Sequence, residues 1–208
     1  MDRGRLEAFS DGVFAVAITL LALGLTVKGP GFGSLAHQLG HAWPAFVAYV
    51  VSFFTVGIIW VNHHALVSDL IVVDRTLLFL NLLLLLFVVM VPFATGTVAD
   101  YLSTNDFDAQ VAVAVYGGVL LGMSIGFASM FEWSLHERHA RTRLPRDRHW
   151  PARRRFGFGG LVYLVVIGLA FVSAAAAFAL SGAVAVYYVF EQTPAIRGAD
   201  NGEQPGPE

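Results

Sequence analysis

The sequence predicts an all-α integral membrane protein with six transmembrane helices per chain. Three observations carry that prediction. Of 208 residues, 56% are hydrophobic and only 13% charged, where soluble domains carry about 25% charged residues. The mean hydropathy is +0.65, and the charges gather between apolar runs long enough to cross a bilayer. Finally, the basic residues fall almost entirely on alternate connections. The net charge of −2 decides nothing, because in a membrane chain the position of charge matters more than its sum. The chain has no cysteine, which excludes disulfides, thiolate metal sites and cysteine catalysis.

A spanning helix needs about 20 apolar residues. The first candidate covers 9–27 and follows a basic start, as a cleavable secretory signal would. A retained helix is expected instead, because no small-x-small cleavage site precedes Lys28 and Asp11 sits where a signal is uncharged. The second covers 43–64, with Pro44 suited to its first turn. The third covers 76–95, and Pro92 is expected to kink or end it. The fourth covers 108–134. The remaining apolar stretch, 157–190, is too long for one ordinary span; two short helices, 157–172 and 174–190, joined near Ser173, fit it better than one helix ending near Gly182.

The positive-inside rule supplies an independent count. Arg3 and Arg5 precede the first span, Arg75 separates the second and third, and Arg197 lies in the tail. Eight arginines, from Arg138 to Arg155, lie between the fourth and fifth spans, against Lys28 alone on the other side. Both termini are therefore expected in the cytoplasm of a multi-pass plasma-membrane protein, which requires an even number of spans. The arginine run reads as a topology anchor in contact with lipid headgroups. No nucleic acid is expected, since no binding fold or aromatic interleaving accompanies it. Residues 1–192 form the expected membrane domain, and 193–208, rich in Gly, Pro and acids, an expected disordered cytoplasmic tail.

Two polar constellations interrupt this apolar plan. Arg5, Ser10 and Asp11 stand at the mouth of the first helix, where ionisable groups are costly unless paired or lining water. Beyond them, Gly12, Val16, Thr19, Leu20, Leu23 and Val27 share one helical face, opposite Phe14, Ile18, Leu21 and Leu25. Four copies of this face around an axis would stack hydrophobic rings, a design that gates pores by dewetting. From periodicity alone, plain contact with lipid or neighbouring helices is the expected reading.

The second constellation is Trp60-Val-Asn62-His63-His64. Adjacent histidines diverge by about 100° on a helix, so they do not easily ligate one metal, and no metal or cofactor is expected. They are expected to supply hydrogen bonds to Arg5, Ser10 or Asp11. Asn81 and Glu132 are further polar candidates without an assignable role. His136-Glu-Arg-His139 lacks the i, i+4 spacing of a metalloprotease helix. No phosphate loop, nucleophile elbow or Thr-Val-Gly-Tyr-Gly carbonyl filter occurs, nor a pair of matching broken helices, and no enzymatic activity is expected.

Arg5-x-x-x-Phe9-Ser10-Asp11, continued by Gly-Val-Phe-Ala-Val-Ala-Ile-Thr-Leu-Leu, resembles the signature of the transmembrane protein 175 family. These are the lysosomal potassium channels of animals and their bacterial relatives. Trp60-Val-Asn62-His63-His64 is similar to that family's second recurring motif, and the resemblance covers essentially the whole chain. It implies a potassium-permeable channel for monovalent cations, a homotetramer of six-helix chains in the bilayer with helix one lining a central pore. It further implies a constriction at Val16, where isoleucine is usual, with Thr19 and Leu23 along the pore; Leu20 and Gly12, on the same helical face, are expected to line it with them. Arg5, Phe9, Ser10, Asp11, Trp60, Asn62, His63 and His64 match residues that support helix one. A non-conducting scaffold or a small-molecule transporter of the same fold is the alternative.

Overall fold

Apolar stripes and capping residues mark out seven α-helices among the described residues, and no strand. The structure is a computed structural model; it describes residues 2–104, 106–135 and 159–190. The arginine run, His136–His139 and the tail lie outside the described residues.

Helix α1, Arg3–Ala22, buries Leu6, Ser10, Phe14, Ala17 and Leu21, a stripe that recurs every three or four residues. It ends short of the expected 27. Gly24 is a poor helix former, and the chain leaves through tightened turns in which the N–H groups of Leu23, Gly24 and Leu25 donate to carbonyls three residues back. Leu23 therefore caps the helix, and Val27 lies in the following loop rather than on the helical face. The loop turns through Gly29, Gly31 and Gly33, all at φ between 85° and 97°, where a β-carbon is disfavoured.

A short helix, α2 (Leu35–His41), follows; apolar periodicity did not foretell it. Its visible signal is Ser34, whose hydroxyl accepts from the His37 N–H at 3.3 Å. Helix α3, Trp43–Asp69, starts with Pro44 in its first turn as expected. Helix α4, Arg75–Tyr101, is capped by Asp74, which accepts from the Leu77 N–H at 2.8 Å. Pro92 lies within α4 and does not end it. One missing N–H costs a single intrahelical bond, while Val88, Val91, Ala94 and Thr95 around it are buried against the neighbouring helices. Helix α5, Phe107–Ser134, is capped by Asp106, which accepts from the N–H groups of Asp108 and Ala109. The last apolar stretch does divide, into α6 (Gly159–Ala170) and α7 (Ala174–Phe190), with Ser173 Oγ accepting from the Ala176 N–H at the break.

Helices α3, α4 and α5 are long and apolar enough to cross a membrane, at 27, 27 and 28 residues. At 1.5 Å per residue each is about 40 Å long, which exceeds a hydrocarbon core of about 30 Å. Helix α1 reaches about 30 Å with its 20 residues but carries Arg3, Arg5, Glu7 and Asp11. Helices α6 and α7 are shorter and apolar.

The most intimate pairing is α4 on α5. Gly126 makes it possible: a β-carbon there would lie 2.9 Å from Leu84 Cα. Small residues four apart let helix backbones approach within a membrane, and Gly122 faces the Phe87 ring one turn earlier. Helix α1 lies against α3 and α4, and α7 against α3 and α5. A buried polar node ties the middle together: Thr95 Oγ1 donates to Ser52 Oγ at 2.7 Å, and Ser52 Oγ meets the Tyr116 hydroxyl at 3.1 Å.

Candidate functional site on the first helix

Helix α1 has two unlike sides. The inner one carries a fully buried hydrogen-bonded chain across three helices. Ser10 Oγ donates to its own Leu6 carbonyl at 2.9 Å, and Asn81 Nδ2 of α4 donates to Ser10 Oγ at 3.1 Å. The other end of that amide, Oδ1, lies 2.8 Å from His63 Nε2 of α3. Because Oδ1 can only accept, Nε2 carries the proton, and Nδ1 is left as a buried acceptor without a partner among the described residues. The His63 ring rests against Phe14 of α1, with centroids 5.4 Å apart.

A second layer lies nearer the polar end. Trp60 Nε1 donates to Asp11 Oδ1 at 2.8 Å, and His64 Nδ1 meets Glu7 Oε1 at 3.0 Å. Glu7 and Asp11 stand one turn apart on α1, so both face α3. Arg3 Nη1 donates to the Ser68 carbonyl at 2.6 Å, meeting one of the free carbonyls at the end of α3. The two adjacent histidines thus serve separate partners, as their divergence on a helix requires.

The structure therefore brings together Ser10, Asp11, Trp60, His63 and His64. It leaves Arg5 exposed, without a hydrogen bond or ion pair among the described residues, and Phe9 half exposed. Asn62 Nδ2 donates to the Ile58 carbonyl of its own helix. Sequence reasoning missed Asn81, Glu7 and Arg3 as partners. A signal existed for Asn81: a lone amide among leucines in a spanning helix must find a hydrogen-bond partner.

The outer side of α1 is different in kind. Gly12, Val16, Thr19, Leu20 and Leu23 are all exposed, Val16 by 57% and Leu23 by 72%. Thr19 Oγ1 donates to the Val16 carbonyl at 2.8 Å, which satisfies the only hydroxyl on this strip. No described residue of the same chain covers it.

A family model described as endosomal/lysosomal potassium channel TMEM175 matches residues 5–92, which hold both constellations. A Streptomyces collinus protein named as a potassium channel is 48% identical over 93% of this chain and 94% of its own. The chain belongs to the TMEM175 family. A second relative, a Chamaesiphon minutus protein named as a potassium channel, is 36% identical over 90% of this chain and 93% of its own. The fold agrees: the crystal structure of a lysosomal potassium-selective channel TMEM175 homolog from Chamaesiphon minutus superposes with a TM-score of 0.79 at 34% identity, covering 90% of this chain and 96% of that one. TMEM175 is thus a family of channels and not of enzymes.

Proposed function

We infer that the chain is a potassium-permeable channel for monovalent cations, built as a homotetramer with α1 innermost and a hydrophobic neck in place of a carbonyl filter. The observation that carries this reading is the two-sidedness of α1. One side is hydrogen-bonded to α3 and α4 through Ser10, Asp11, Asn81 and His63. The other presents Gly12, Val16, Thr19, Leu20 and Leu23, exposed among the described residues and free of charge. A helix anchored on its inner face and bare on its outer one is suited to meet its own copies around an axis. The names of the relatives support the same assignment.

In this reading Val16 forms the neck, a ring wet only when wide enough to pass ions. Ser10, Asp11, Trp60, His63 and His64 hold α1 in register, Asn62 supports α3 beside them, and Arg5 and Phe9 stand exposed to meet a neighbouring copy. Six crossings per chain, with α6 and α7 as a short final pair, put both termini in the cytoplasm of a plasma-membrane protein. Residues 1–192 are the channel domain and 193–208 a tail.

Purified protein in potassium-loaded liposomes tests it. Tracer potassium flux above that of empty vesicles is expected. Protein that reconstitutes as tetramers but passes no cation would leave the non-conducting scaffold in its place.

A further inference from the structure

We propose that Glu7, Asp11 and His64 form a binding site for a divalent transition-metal ion of the zinc class, bridging α1 to α3. One ligand atom from each of the three lies within 4.8 Å of the other two. A tetrahedral ion with bonds of about 2.0–2.1 Å needs donors about 3.4 Å apart. Only a small closure is therefore required, and His64 Nδ1 and Glu7 Oε1 already stand at 3.0 Å. The side chains have room to make it, since His64 is 52% and Glu7 22% exposed. Three protein ligands leave the fourth position to water.

The donor set selects the metal class. An imidazole beside two carboxylates suits zinc, cobalt or nickel, whereas calcium and magnesium favour all-oxygen shells. The site also has an outer partner of the usual kind. Trp60 Nε1 holds Asp11 Oδ1 at 2.8 Å, fixing the carboxylate while its other oxygen stays available. The bridge spans two helices that meet only through packing and hydrogen bonds, so a bound ion would tie the first turns of α1 to the end of α3.

The site concerns binding, and it stands whether or not the chain conducts. Cobalt(II) is the probe, added to the full chain in chelator-free detergent and followed by its visible absorption. A second chelating pair must be controlled for, because His37 and His41 sit one turn apart on α2 with ring centroids 4.4 Å apart. The expected result is one cobalt per chain, displaced by zinc, with a raised unfolding temperature. His64→Gln and Glu7→Gln should abolish both effects, and Trp60→Phe should weaken affinity about 10–100-fold. His37→Ala/His41→Ala should change nothing. Circular dichroism in chelator confirms that each variant folds, and the half-exposed His64→Gln decides alone should Glu7→Gln not fold. No cobalt binding at millimolar concentration overturns the proposal. So does binding that survives His64→Gln and disappears in His37→Ala/His41→Ala.

Discussion

At the scale of single residues, Asn81 is the hub that attaches α1. Its amide serves Ser10 with one end and His63 with the other, and all three side chains are buried. Asn81→Leu strips both, leaving the His63 ring without any bonded nitrogen, at a cost of about 1–3 kcal/mol for the stranded group. Ser10→Ala leaves the Asn81–His63 bond in place and should cost less. Thermal unfolding in detergent orders the two; a larger loss from Ser10→Ala would remove Asn81 from the centre of the network. On the outer side, Val16 is the residue to vary. Val16→Ala trims two methyl groups from each copy and should raise tracer potassium uptake into vesicles, while Val16→Phe should lower it. Leu23→Ala is the matched comparison, lying two turns along and exposed as well. Uptake unchanged by all three, at equal tetramer content, would mean that α1 does not line the path.

At the scale of elements, the α4–α5 pair depends on backbone approach. A methyl group at Gly126 meets Leu84 Cα at 2.9 Å and Leu84 N at 3.1 Å, and backbone cannot rotate aside. Gly126→Ala should therefore destabilise by about 1–3 kcal/mol, as overpacking does. Gly118→Ala adds the same methyl group where nothing lies within 4 Å, and should be neutral or slightly stabilising. Equal effects at both positions in a thermal melt would mean that helix spacing is not set at Gly126. The cap of α5 responds to acid. The Thr104 hydroxyl, and then the backbone N–H groups, hold the Asp106 carboxyl below its ordinary value of 3.8. Its contribution is present above that ordinary value and disappears as the pH falls through the lower, folded one. Asp106→Ala should thus remove part of the acid-dependent loss of helicity and leave neutral-pH behaviour weakened but flat. An unaltered acid limb by circular dichroism would show that other carboxylates govern it.

At the scale of the whole molecule, a strip of α1 stands bare that no described residue of the same chain covers. Four copies of the 22.5 kDa chain, about 90 kDa of protein, are expected in native mass measurement from mild detergent. Leu20→Glu, on that strip and 40% exposed, should break the assembly without unfolding the chain, because the inner face of α1 is untouched. A stable monomer of the parent protein would remove the pore from the proposed function. A tetramer that tolerates Leu20→Glu would place the contact on another face, such as that of Trp43, Phe46 and Val50 on α3, which is also exposed.

Composition and hydropathy by themselves determined the membrane class, the apolar helices and the break near Ser173, because crossing a bilayer is a local requirement summed over about 20 residues. The motif at Arg5–Asp11 and its counterpart at Trp60–His64 were likewise legible, since charge and amides inside an apolar run stand out. Which group bonds which was not. The Asn81–His63 bond spans 18 residues of sequence and the Asn81–Ser10 bond 71, so both depend on how far each helix slides and turns against the next. That register is set by packing between helices, such as Phe14 on the His63 ring, which no single-helix pattern contains. The same holds for Arg5, expected among the anchors and found exposed, and for Glu7, an ordinary charge in sequence that only the approach of α3 places beside His64.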